Sequence, residues 1–559
     1  MCDVRLIISF ALSQKLVIMS NFFKIHASFF SPSQMKLFAV LLLLAVSVVA
    51  ANATLDVTIG LNFKGSSEGV ESIAVPSDCN GTIGPNHFVE FLNGVFAVYN
   101  RTNGNRISLS TDIAFWQNAG ITFAAGVDIS DPRLIYDAQS GRWFACMIDV
   151  PLSQVNNHIL LAVSKTSDPT AGWRAVSINA DVNRFADFPT MGIDANAIYI
   201  GSDSFDGSGT YRGVAYSSIP KADLLGTVLS LARRSSSGTL SPASRGNTPH
   251  PIVNFGGTGP GLILTTENNG VDFQPHSTLK LVQVNNSGAA GATFSAATLI
   301  SVPSYSIPIN PQQPDATQSD FDDGDCRFGA KPYQIGNIIY AAHTVDLPNG
   351  STHHAGIRWY KIDATAKTVI QSGTISNALE FFYPSICANS NGVVVLNMNG
   401  CSTTQYVSSY AVVGETVTNN TTFGQPILLK AGTATYDDGG GFGGTSRWGD
   451  YSAVTPDPNS SDHFWAIQNI ATGGQEWSTQ ITEIIAAQVL SPTVTIDRSN
   501  NKVLLQWLTT ATGFALEETP SLNPPIFWTS VSTSPVSANG TNTVTIPANQ
   551  PMDIFRLKR

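Results

Sequence analysis

One pattern recurs along this chain and constrains it more than any single motif. "DPRLIYDAQSGRWFACMID" from Asp131 runs through a polar lead, an apolar strand, a turn of Asp, Ser and Gly, and an aromatic-rich strand. "DFPTMGIDANAIYIGSDSF" from Asp187, "FYPSICANSNGVVVLNMNG" from Phe382 and "SRWGDYSAVTPDPNSSDHFWAIQNI" from Ser446 repeat it. Looser copies start at Ile83, His250 and Cys326. Each copy is a β-hairpin: Gly, Asn and Asp tolerate the positive φ of tight turns, and the flanking runs are rich in β-branched and aromatic residues.

Further alternating stretches, such as "HILLAVSKT" from His158 and "THHAGIRWYKID" from Thr352, bring each unit to three or four strands. Small sheets repeated at this interval bury their faces only against one another, which predicts an all-β, seven-bladed β-propeller. Six or eight blades stay open, because residues 226–300 carry an excursion, "LARRSSSGTLSPASRGN". The last unit has three strands, at Tyr451–Thr455, Phe464–Ile470 and Ser478–Ile485, while "LDVTIGLNF" from Leu55 has no blade. That early strand is expected to complete the last blade, so that no sheet edge is left unpaired. After Ile485 the pattern shortens into strands and Pro/Asn/Gly turns, enough for a small immunoglobulin-like β-sandwich. The expected organisation is an N-terminal extension over 1–34, a leader over 35–53, a propeller over 54–486 and a sandwich over 487–559.

The leader is read from "MKLFAVLLLLAVSVVAANA" at Met35: one Lys, an apolar run, then Ala51-Asn52-Ala53. That is the layout of a secretory signal peptide, with translation starting at Met35 and the protein released outside the cytoplasm or into the envelope. A membrane anchor is the alternative reading, but the run is shorter than the roughly 20 apolar residues a span needs. Membrane contact is therefore expected only through the leader during export. Removing residues 1–53 takes four of the 30 basic and one of the 40 acidic groups and leaves a net charge of −13. Such a chain does not suit a nucleic-acid backbone. Five cysteines remain, Cys79, Cys146, Cys326, Cys387 and Cys401; an odd count leaves at least one thiol without an intrachain partner. Cys387 and Cys401 are near enough in sequence to pair within one blade.

"DPRLIYDAQSGRWFA", "SKTSDPTAGWRA", "FADFPTMGIDANAIYIG" and "RWGDYSAVTPDP…FWAIQNI" together resemble secreted bacterial sialidase-like β-propeller proteins, over residues 70–485. "SDPTAGW" from Ser167 looks like a degenerate Asp-box, a turn that braces a hairpin in sialidases. The tail, with "VLLQW", "GFALEET", "FWTSV" and "DIFRL", resembles a C-terminal module of secreted bacterial proteins that serves display or sorting. The resemblance implies the fold; propellers host unrelated activities.

In a propeller the front of each inner strand faces the central channel. The unit fronts supply Asp131, Arg133, Asp187, Asp325, Arg327, Arg447, Asp450 and Tyr451 as candidate ligand-binding residues. Three arginines from three blades suit one carboxylate, since guanidinium binds it bidentately. Sialidases use three arginines with a tyrosine nucleophile, and the resemblance puts Tyr451 in that role. The family's Arg-Ile-Pro motif is absent, and no Glu is placed to activate Tyr451. "DFDDGD" sets Asp320, Asp322, Asp323 and Asp325 in one loop, a candidate oxygen-ligand calcium site, although no cofactor is required. His353 and His354 are adjacent on an expected strand, where neighbouring side chains diverge, so they do not suit a shared metal. "GGGFGG", Gly439 to Gly444, lacks the Lys-Ser/Thr of a phosphate loop. The leading expectation is an extracellular protein binding a glycan, another surface polymer or a protein partner, with a sialidase-like hydrolase and a structural envelope component as alternatives.

Overall fold

A computed structural model describes residues 53–559 apart from 269, 316–321, 349–352, 441–444, 474–475, 491–493, 500, 510–512, 524–525, 549–553 and 559. The N-terminal extension and the leader, Ala53 excepted, lie outside the described residues, as do Asp320 and Gly441–Gly444. Among the described residues no helix is long and apolar enough to cross a membrane. Leu55–Gln488 form one compact unit, and the chain from Val489 belongs to another.

The first unit is a seven-bladed β-propeller. Its blades, numbered along the chain, begin with the inner strands Asn80–Ile83, Asp128–Asp137, Phe185–Ile193, Asn247–Pro251, Tyr333–Ile335, Glu380–Ala388 and Ala453–Pro456. Each inner strand starts an antiparallel sheet of four or five strands. In blade 2 the order is Asp128–Asp137, Arg142–Val150, His158–Ser164 and Trp173–Asn179. Blade 3 takes part of the 226–300 excursion as its outer strand: Ser235–Ser236 pairs with Tyr211–Pro220, which accounts for the blurred repeat there.

The ring closes as the lone early strand requires. Ala53–Ser67 pairs with Glu476–Leu490 and completes blade 7, so the last blade contains both ends of the unit. Side chains fix the register: Leu61 N donates to Glu483 Oε2 at 3.1 Å, Thr482 Oγ1 to Asn62 Oδ1 at 2.9 Å, and Ser66 Oγ to Glu90 Oε2 of blade 1 at 2.6 Å.

Asp and Asn shape the hairpin that follows each of several inner strands. Asp194 Oδ1 accepts from Asn196 N and Ala197 N at 2.7 and 2.8 Å, and Asn389 Oδ1 accepts from Asn391 N and Val393 N at 3.0 and 2.9 Å. These turn residues also reach the next blade. Asp137 accepts from the buried Lys221 ammonium of blade 3 at 3.0 Å. Asp457 pairs with Arg101 of blade 1 and accepts the Trp465 indole N–H at 3.0 Å. Aromatic rings fill the seams: Phe88 of blade 1 and Trp465 of blade 7 lie 5.8 Å apart.

The turn at Ser167 is braced by its aspartate and its tryptophan. Asp168 Oδ1 accepts from Thr170 N and Oγ1, and Trp173 Nε1 donates to the Pro169 carbonyl at 2.8 Å. The five described cysteines are all buried and free. Cys387 and Cys401 do not pair: Cys387 faces Val395 and Cys401 faces Glu380 across the same two strands, several residues apart.

From Val489 the chain forms a two-sheet β-sandwich. One sheet has the order Thr495–Ser499, Lys502–Leu508, Thr541–Pro547, Val536–Ala538, and the other Thr529–Ser530, Ala515–Thr519, Ile554–Lys558. Leu505, Trp507, Leu516, Val544 and Ile546 make its core.

Candidate functional site: the mouth of the channel

A backbone device repeated around the ring builds the site. Asp131, Phe188, Thr248 and Tyr383 each adopt positive φ, at 65°, 48°, 48° and 46°, and each precedes a proline. At all four the pairing to the second strand slips, between Ser130 and Arg133, Asp187 and Thr190, Asn247 and His250, and Phe382 and Ser385. These are β-bulges, and proline suits them because the bulged residue gives no ladder hydrogen bond. In blade 1 Asp78 takes the same conformation, with φ 48°.

The bulge turns the second residue after it into the channel. Asn80, Arg133, Thr190, His250, Ala330, Ser385 and Ser452, one from each blade, ring a cavity of only about 10 Å³, room for about one water. Arg133 is the one charged side chain among these seven. Its Nε donates to the Pro189 carbonyl at 2.9 Å and its Nη1 to the Gly329 carbonyl at 2.7 Å. Its guanidinium lies 3.4 Å from the Tyr451 ring centroid and 4.8 Å from that of Phe188. The channel is plugged by a cation between two aromatic rings.

Outside the plug lies a cleft of about 470 Å³ whose lining includes Asp187, Asp203, Asp322, Asp325, Asp450, Arg327, Arg447, Phe188 and Phe205. Both arginines are committed to aspartates. Arg327 donates through Nε to Asp325 Oδ2 at 2.7 Å, and its Nη1 reaches Asp203 Oδ2 at 3.4 Å and Thr248 Oγ1 at 3.0 Å. Arg447 donates to Asp450 Oδ1 at 3.0 Å and lies 3.4 Å from Asp322 Oδ2. Five aspartates against two arginines leave the lining acidic. Burial, with Asp131 and Asp203 close by, pushes the Asp187 carboxyl up to about 7. Burial and Asp450 push Asp322 up to about 6, against the pull of Arg447.

The residues expected at the unit fronts divide between two levels. Asp187, Asp325, Arg327, Arg447 and Asp450 line the cleft. Arg133 does not join the other two arginines, because the bulge at Asp131 and Pro132 carries it into the channel. Asp131 is buried at the foot of the cleft, where it accepts from Ser130 Oγ and Phe188 N at 2.8 and 3.1 Å.

Tyr451 departs from the nucleophile expectation. It is 2% exposed, its hydroxyl donates to the Pro132 carbonyl at 3.1 Å, and burial holds the phenol well above its ordinary range, with Arg133 opposing. A tyrosine so placed packs the plug and does not reach the cleft.

The acidic loop departs too. Of its described carboxylates, Asp325 turns to Arg327, Asp322 to Arg447, and Asp323 is wholly buried, so they do not form one cage. His353 and His354 precede the strand Ala355–Asp363 and take separate partners, Asp346 at 2.8 Å and Glu380 at 3.0 Å. Two acidic residues that matter went unread in the sequence: Asp203 of the cleft, on the second strand of blade 3, and Asp78. The cue for Asp78 was its place at the front of blade 1, just before "CNGTI".

No protein-family profile matches the chain, and no curated protein matches it. Solved structures to which it is similar include an α-L-arabinofuranosidase of Fusarium graminearum in complex with arabinobiose, at 10% identity and TM-score 0.34, covering 73% of this chain and 92% of that one. The extracellular domains 1–2 of Drosophila Semaphorin 1b give 8% identity and TM-score 0.34, covering 77% and 87%. A protein of unknown function from Dyadobacter fermentans gives 10% and 0.29, covering 76% and 100%.

Proposed function

We propose that the cleft at the channel mouth binds an uncharged or amino-bearing glycan, and that the protein acts outside the cytoplasm as a carbohydrate-binding propeller. The observation that carries this reading is the commitment of both cleft arginines to aspartates. A ligand carboxylate would have to displace Asp325 or Asp450 and then sit among like charges. Sugar hydroxyls donate to carboxylates and accept from the outer edges of guanidinium groups, and Phe188 and Phe205 offer apolar faces to pyranose rings. A volume near 470 Å³ suits one or two sugar units. The external location rests on the leader pattern at Met35.

The same geometry weakens a sialidase-like activity, which needs free arginines and a reachable tyrosine. Hydrolysis of neutral glycosides is the second reading, favoured by Asp187: a carboxyl that keeps its proton near neutral pH is the general acid such a reaction needs.

An array of neutral, amino and sialylated glycans tests the proposal, with turnover of matched fluorogenic glycosides read in parallel. Retention of neutral or amino glycans, lost in Asp325→Ala, is expected. Cleavage that disappears in Asp187→Asn while binding persists would add the hydrolase reading. Retention of sialylated glycans alone, or of none, overturns the proposal.

A further inference from the structure

Three carboxylates, of which Asp450 alone belongs to an arginine pair, meet where blades 1, 2 and 7 converge on the axis. Asp78, Asp131 and Asp450 each present one oxygen, and these oxygens all lie within 4.8 Å of one another. Asp78 and Asp131 are 1% and 7% exposed, whereas Asp450 lines the cleft and opens the group to solvent. Asp78 Oδ2 accepts from Asn93 Nδ2 at 3.0 Å, but its Oδ1 is buried and has no donor among the described residues. A carboxylate oxygen in that position lacks a positive partner.

The surrounding scaffold keeps the three together. Asn93 accepts the Asp131 backbone N–H at 3.0 Å while it holds Asp78, so one carboxamide ties blades 1 and 2. Asn469 donates to Ser77 Oγ at 2.6 Å and to the Trp448 carbonyl at 3.3 Å, which fixes the approaches to Asp78 and Asp450. Among the described residues the only cation paired to the trio is Arg447, through Asp450, and it is shared with Asp322.

We infer that Asp78, Asp131 and Asp450 bind a divalent cation, calcium, on the propeller axis at the floor of the cleft. Oxygen-only donors select a hard cation. Ligands from three separate blades suit the variable geometry of calcium better than the strict octahedron of magnesium, and carbonyls or water supply the rest of its six to eight oxygens. The ion gives Asp78 Oδ1 its missing partner and stitches the first, second and last blades together. The site differs from the acidic loop that the sequence pointed to, and it stands whether or not the cleft takes a glycan.

The test uses the full chain, stripped with chelator and titrated with calcium chloride alone. Calorimetry should show one site per chain, and saturating calcium should raise Tm by several degrees. Asp450→Asn, at the exposed corner of the trio, should weaken binding at least tenfold and remove most of that rise. Asp78→Asn separates the ion from a shared proton. If Asp78 and Asp131 share a proton instead of an ion, the stripped wild type ignores calcium and the Asn variant is at least as stable, which overturns the inference. Magnesium or zinc binding in place of calcium overturns it equally. If Asp78→Asn fails to fold, wild-type calorimetry together with Asp450→Asn decides the matter.

Discussion

Arg133 and Tyr451 show how a residue's role follows from where the backbone sends it. Both stand at unit fronts, and their types suit anion binding and nucleophilic attack. The bulge at Asp131 moves Arg133 inward, where two carbonyls and two rings replace water around its charge. Removing it takes these donors from two buried carbonyls and opens the axis, so Arg133→Ala should cost about 2 to 6 kcal/mol, at about 1 to 3 kcal/mol for each acceptor left unpaired. Tyr451→Phe keeps the ring beneath the guanidinium and loses one hydrogen bond to Pro132, a cost of about 1 kcal/mol. Urea denaturation of the two variants beside wild type checks the ordering. A Tyr451→Phe protein as unstable as Arg133→Ala would mean that the hydroxyl, not the ring, holds the plug.

At the scale of elements, the strand Ala53–Ser67 is the clearest case of local sequence dictating long-range structure. Leu55, Val57, Leu61 and Phe63 alternate and pack on the cores of the ring, while Asn62 takes donors from Gln480 and Thr482. Deleting residues 53–67 would expose the whole edge of Glu476–Leu490, and a long unpaired edge recruits other chains. The shortened chain should therefore elute as oligomers or aggregate. A synthetic peptide of residues 53–67 added in trans should restore the monomer and raise Tm, as in other cases of strand addition. A shortened chain that stays monomeric with unchanged Tm would show that blade 7 closes the ring with three strands. The hairpins and this strand were legible because alternation and Asn/Asp/Gly turns are local signals. The bulges were also written locally, as Asp131-Pro, Phe188-Pro, Thr248-Pro and Tyr383-Pro. Their effect is not local: a slip of pairing reverses which side chain meets the axis. That is why Arg133 stands inside the channel and not, as its place at a unit front suggests, beside the cleft arginines.

Over the whole molecule, acid balance gathers on the axis and in the seams, and its sign can be worked out. Burial pushes the carboxyl of Asp112 up to about 6, Asp322 to about 6 and Asp187 to about 7, and it holds Asp78, Asp131 and Asp323 up as well. For each, the folded chain binds the proton more tightly than the unfolded chain. The stabilisation is fully present below about pH 4 and is lost as pH rises through the folded value. Two buried histidines act in the opposite sense. His250 is pushed down to about 3 by burial and by Arg133, and its Nδ1–H donates to the Thr248 carbonyl. His343 is pushed down to about 4 by burial; its Nδ1–H donates to the Cys326 carbonyl at 2.6 Å, and its Nε2 accepts from the Tyr360 hydroxyl. Their stabilisation is lost as pH falls from about 6.5 towards those values. Lys331, pushed down to about 7 by burial and by Arg133, acts in the same sense as the histidines. The raised carboxyls outnumber these three lowered bases, so the chelator-treated chain should gain stability from pH 7.5 to 5.5. Urea midpoints at the two pH values measure this. Asp187→Asn should shrink the gain and His343→Gln should enlarge it, each judged by the difference between the two pH values so that any loss of packing cancels. A wild-type chain that loses stability on acidification would mean that the buried aspartates are ionised in the folded ring and balanced by something other than protons.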